Sequence, residues 1–152
     1  MPTAVEVQTV RPRILAAVRR EIPSSEIGAT WKPALDLVWD FLRQHPGIRT
    51  DGHNIFVYSA GARPGSMVCD FGVEVARTFE PEGEVRTIET PGGDVAVAVH
   101  RGPYTELSKT YQAIEEWMRA HRRETAGYVW EIYADPSPDP NRTETTILQL
   151  LK

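Results

Sequence analysis

The sequence predicts a single α+β domain made of two β-α-β-β modules, with antiparallel sheet and two long helices. Three observations predict it. The chain repeats itself at offsets of 75 to 81 residues (133 minus 58, 95 minus 14), each copy runs strand, helix, strand, strand, and 152 residues is the length of about one domain. A pseudo-twofold between the copies, spanning about residues 11–78 and 93–152, is the expected consequence, with a groove between the halves.

The elements follow in order. Ile14 to Arg20 reads as the first strand, and Val95 to Arg101 matches it. A helical pattern follows each strand. Trp31, Ala34, Leu35, Val38, Phe41, Leu42 and His45 share one 3.6-residue face, as do Tyr104, Leu107, Tyr111, Ile114, Trp117, Met118 and His121. Pro33 is placed in the first turn with Thr30 near the cap, because proline deeper in a helix costs about 3 kcal/mol. Pro46-Gly47 ends the first helix. Two strands close each half: Asn54 to Ser59 and Val68 to Ala76, then Tyr128 to Ala134 and Glu144 to Leu151. Between the halves, Arg86 to Glu89 reads as a strand, and Pro91-Gly92-Gly93-Asp94 supplies a turn.

Composition excludes several classes. A formal net charge of -4 and a pI of about 5.6 lack the basic footprint that phosphate backbones require, so nucleic acid is not an expected partner. No apolar run approaches the roughly 18 residues of a membrane span. The single cysteine, Cys69, and the absence of a basic-then-apolar leader make cytoplasm the expected compartment. Met1 to Val10 leads straight into the first strands, so no DNA-reading domain is expected before them. His45, His53, His100 and His121 have no metal-ligand spacing, and no cofactor is expected. Cys69 with His100 would imitate a cysteine nucleophile, but a lone strand cysteine reads better as a small core residue.

The anomaly is Glu131 within the apolar run Gly127-Tyr128-Val129-Trp130-Glu131-Ile132-Tyr133. Alternation puts Val129, Glu131 and Tyr133 on one strand face and Tyr128, Trp130 and Ile132 on the other. Both faces read as buried. A carboxylate there costs several kcal/mol unless it is paired, by an internal base such as Arg101 or Arg142 or by a cation from outside. At the offset of 75, Glu131 corresponds to Phe56, so the fold does not require an acid there. Glu131→Leu is accordingly expected to fold with no loss of stability. The stripe Tyr111, Ile114, Trp117 and Met118 is assigned to packing.

The segments Phe71-Gly72-Val73-Glu74-Val75, Pro91-Gly92-Gly93, His100-Arg101-Gly102-Pro103-Tyr104 with Leu107, Tyr111 and Trp117, and Trp130-Glu131-Ile132-Tyr133 occur in one order along nearly the whole chain. In this the chain resembles the GyrI-like small-molecule-binding family, which includes the effector-binding domains of multidrug-responsive bacterial transcription activators. The resemblance implies two SH2-like modules about a pseudo-twofold. It also implies a groove for small hydrophobic or cationic aromatic compounds, with the pocket acid at Glu131 and the tyrosine opening the second helix at Tyr104. Further wall positions map to Tyr58 and Tyr133, and to Trp31 and Phe71.

Aromatic faces attract delocalised cations by about 0.5 to 2 kcal/mol per contact, with Glu131 as counter-charge, so a binder of broad specificity that sequesters toxic compounds is expected. Two alternatives stay open. Some stand-alone relatives hydrolyse cyclopropane-bearing alkylating agents, which would make Glu131 a general base and Tyr104 or Tyr133 a hydrogen-bond donor. The protein would otherwise pass its ligand state to a protein partner, whose identity the sequence does not reveal.

Overall fold

The computed structural model describes residues 3–135 and 137–152, and of Asp51 the backbone alone. The described chain divides into two compact units, residues 12–90 and residues 3–11 with 91–152. Each unit is an antiparallel four-stranded sheet carrying one long helix.

In the unit of residues 12–90, β2 (Ile14–Pro23) pairs with β4 (Ser66–Val75) on one side and β5 (Arg86–Glu89) on the other. The strand β3 (Arg49–Ala60) pairs with β4, giving the order β3-β4-β2-β5. The helix α1 (Ile27–Gln44) lies on β2 and β4. Its buried residues Ala34, Leu35, Val38, Phe41 and Leu42 are five of the seven the 3.6-residue pattern selected, Trp31 being exposed and His45 half-buried.

In the other unit, β6 (Gly93–Arg101) pairs with β1 (Glu6–Val10) and with β8 (Glu144–Leu151), and β7 (Thr125–Tyr133) pairs with β8. The order β7-β8-β6-β1 reproduces that of the first unit strand for strand. The helix α2 (Leu107–Ala120) lies on β6. Ala96, Ala98, Ile114, Ile147 and Leu151 form the core there, with Tyr111, Trp117, Met118 and Val129 packed against it.

Three details differ from expectation. Pro33 is the seventh residue of α1, not a first-turn residue, because the helix starts at Ile27, after Glu26. The apolar anchors that follow it hold the helix through the missing hydrogen bond. Tyr104 opens a separate 3-10 turn, Tyr104–Glu106, and α2 itself starts at Leu107. The strand β1 was not anticipated: four of its five residues are exposed, so it carries no core pattern, and its partner lies far along the chain.

A β-bulge is repeated as well. Pairing slips between Arg49 and Asn54 on β3 and between Thr125 and Val129 on β7. In both slips a threonine hydroxyl accepts from the glycine N–H two residues on, Gly52 to Thr50 at 2.8 Å and Gly127 to Thr125 at 3.0 Å. Gly127 has φ of 93°, a conformation that favours glycine. The bulges set the register of everything beyond them. Phe56 then pairs with Phe71, and Glu131 with Ile147, on the same rung of their respective sheets.

Candidate functional site

Glu131 projects from β7 onto the face that carries α2, where it is 6% exposed. Tyr111 of α2 donates its hydroxyl to Glu131 Oε2, and Tyr133, two residues along β7, donates to Oε1. The acid is therefore held at both oxygens by neutral phenols. Each charge-assisted bond offsets about 1.5 to 3 kcal/mol of the desolvation cost, while no cation among the described residues pairs with the carboxylate. Neither arginine considered from the sequence reaches it: Arg101 Nε bonds Glu144 at 2.9 Å, and Arg142 faces Asp139 at 3.7 Å.

The other buried acid makes the contrast. Asp70 on β4 is 5% exposed and takes a two-pronged guanidinium from Arg19, directly opposite on β2, at 2.8 and 2.9 Å. That is how this fold neutralises an acid it uses for structure. No ion pair to Glu131 is found among the described residues.

Tyr104 is brought against Tyr133 by the turn before α2. His100, buried at the end of β6, shares a hydrogen bond between Nδ1 and Thr110 Oγ1 of α2 (2.8 Å) and donates from Nε2 to the Pro103 carbonyl (2.9 Å). Gly102 follows with φ of 130°, and its N–H bonds the Thr143 carbonyl at 2.8 Å. This lock fixes the loop and leaves Tyr104 52% exposed, its ring edge-on to Tyr133 with centroids 5.9 Å apart. The His-Arg-Gly-Pro-Tyr segment is thus a brace that presents a tyrosine.

Glu131, Tyr133 and Tyr104 accordingly form one cluster. Tyr111 belongs to it and was assigned to packing alone. A signal existed: at an offset of 76 Tyr111 corresponds to Leu35, so the apolar pair Leu35 and Phe56 of one half becomes Tyr111 and Glu131 in the other. The paired change from apolar to polar marks the contact.

Trp31, Phe71 and Tyr58 lie in the unit of residues 12–90. Trp31 is 38% exposed and meets Phe56 at 6.1 Å, and Phe56 meets Phe71 edge-on at 4.9 Å. Phe71 is fully buried and serves as core. Tyr58 is buried opposite Cys69 across β3 and β4. The Cys69 thiol is pushed up to about 11 by burial and then by the neighbouring Asp70, so it is no nucleophile.

The sequence matches the family model of the GyrI-like small molecule binding domain over residues 3–150. No curated protein matches it. Among solved structures, it is similar to the EcmrR C-terminal domain at 19% identity, covering 100% of this chain and 99% of that one, with a TM-score of 0.81. In the EcmrR–DNA complex the TM-score is 0.83 at 18% identity, and all of this chain spans 58% of EcmrR. SAV2435 bound to tetraphenylphosphonium gives a TM-score of 0.74 at 10% identity, over 98% of this chain and 94% of that one. A hydrolase from Listeria innocua gives 0.65 at 10% identity, over 97% and 91%. At such identities the likeness is one of fold.

Proposed function

The chain belongs to the GyrI-like small-molecule-binding family, and from that premise we propose that it binds lipophilic aromatic cations at the Glu131 cluster. The observation that carries the reading is the pair of buried acids. Asp70 has its guanidinium, whereas Glu131 is oriented by two phenols that supply hydrogen bonds and no positive charge. A delocalised cation brought against Glu131 gains a Coulomb partner in a poorly solvated setting, and the rings of Tyr104 and Tyr133 offer it aromatic surface. Few directional bonds are demanded, so ligands of similar charge and shape are interchangeable. The ligand-bound SAV2435 structure supports the choice of a cation as probe.

The test is titration with a lipophilic cationic dye. A micromolar Kd, on the order of -8 kcal/mol, is expected with quenching of tryptophan emission. Glu131→Gln keeps the shape and removes the charge, so binding should weaken at least about tenfold, or 1.4 kcal/mol. Equal affinity in the two proteins would sink the counter-charge role.

Hydrolysis of strained cyclopropane-bearing compounds is the second reading, favoured by the half-exposed ring of Tyr104 packed on Tyr133, which bonds the acid. Here Glu131 would activate water and Tyr104 would donate to the developing oxyanion. Both carboxylate oxygens already accept phenolic hydrogens, which leaves the base less free for water. Incubation with such a compound, followed by mass spectrometry, separates the readings: ring-opened product that vanishes in Glu131→Gln establishes the hydrolase.

A further inference from the structure

Among the described residues, one buried side-chain polar atom lacks a hydrogen-bond partner, the hydroxyl of Thr145. Thr145 is fully buried on β8, paired with Tyr133 of β7 on one side and His100 of β6 on the other. Its neighbours are committed elsewhere. Tyr133 gives its hydroxyl to Glu131, and both ring nitrogens of His100 are engaged with Thr110 and Pro103. An unpaired buried hydroxyl costs about 1 to 3 kcal/mol, and threonine's can both donate and accept.

The fold does not call for this hydroxyl. At the offset of 76 the corresponding residue of the other unit is Cys69, paired with Tyr58 just as Thr145 is with Tyr133. A small, weakly polar group fills that rung. The hydroxyl stands instead one strand over from Glu131 and two residues from its partner Ile147, a diagonal spacing of about 7 to 8 Å between backbones. Tyr133 lies between the two, partly exposed and in contact with the more exposed Tyr104. A ligand reaching Thr145 would have to displace the Tyr133 ring from Glu131.

We propose that Thr145 is a specificity-determining residue of the Glu131 site, its hydroxyl bonding a neutral polar group that the ligand carries one ring's length from its positive charge. The preferred class is then an amphiphilic aromatic cation bearing a hydroxyl, ether or carbonyl oxygen, and not a purely apolar cation. The proposal rests on the cation-binding reading, and the two fail differently.

A matched pair of probes tests it: tetraphenylphosphonium and its derivative with a single para-hydroxyl. The wild-type protein should prefer the hydroxylated cation at least fivefold. Thr145→Val, close in shape, should abolish that preference and leave tetraphenylphosphonium affinity within twofold, whereas Thr145→Ser should restore much of the preference. In ligand-free protein Thr145→Val should raise Tm or leave it unchanged, since an unpaired hydroxyl is removed. A preference that survives in Thr145→Val, or none in the wild type, overturns the role. So does a marked fall in Tm, which shows the hydroxyl to be bonded inside the fold. Glu131→Gln weakening neither probe, or no binding of either by the wild type, overturns the cation-binding reading and this proposal with it.

Discussion

At position 131 an acid stands where the other unit has Phe56, and at position 111 a phenol stands where it has Leu35. The repeat alone predicts that Glu131→Leu is harmless. The geometry reverses that expectation, because leucine would remove the carboxylate to which the Tyr111 and Tyr133 hydroxyls donate. Glu131→Leu should lose about 1 to 3 kcal/mol in urea denaturation, and Tyr111→Phe should recover part of the loss when combined with it. The informative quantity is the coupling in the cycle of Tyr111→Phe and Glu131→Leu, expected at about 1 kcal/mol or more. Strict additivity would mean that the phenol and the acid do not meet. Glu131 stood out in the sequence because it breaks an apolar strand pattern, whereas Tyr104 and Tyr133 were named only through the family resemblance. The role of Tyr111 was not legible, since a tyrosine on an apolar helical stripe looks the same whether its hydroxyl reaches solvent or crosses to a strand.

At the scale of elements, periodicity carried most of the fold. The strand β5 falls on Arg86–Glu89 as read, and α1 buries most of the face its spacing selects. The helix α2 buries Ile114 and the unforeseen Thr110, and only half-buries Leu107, Tyr111, Trp117 and Met118. What escaped was set by distant pairing. The strand β1 exists through its ladder to β6 and not through its own pattern, and the bulges depend on threonine–glycine contacts that alternation does not encode. Pro33 was misplaced for a different reason, since local propensity was outweighed by the anchors Ala34, Leu35 and Val38. Pro33 is exposed and deprives the Ala29 carbonyl of a helical donor. Pro33→Ala should therefore raise stability by about 1 to 3 kcal/mol, read as a higher Tm with unchanged dye affinity. A fall in Tm would show that the proline's rigidity is worth more than the bond it forfeits.

For the whole molecule, both units use one design, and the residues that differ between matched rungs carry different duties. Cys69 and Thr145 are such a pair, and Cys69 ties the stability of the protein to alkaline pH. Its thiol titrates near 9.0 when unperturbed and is pushed up to about 11 in the fold, first by burial and then by Asp70. The folded state thus holds the proton more tightly than the unfolded chain. Its contribution is fully present below about pH 9 and is lost as pH rises through 11. Two pH units correspond to at most about 3 kcal/mol. Tyrosines and lysines also titrate in this range, so the useful measurement is the difference between wild type and Cys69→Ala. The variant loses some packing at every pH, and above pH 9 the gap between the two proteins should narrow steadily. A gap that stays constant from pH 8 to 11 would mean that the thiol ionises as easily in the fold as out of it, and that the Cys69 rung is wetter than its burial indicates.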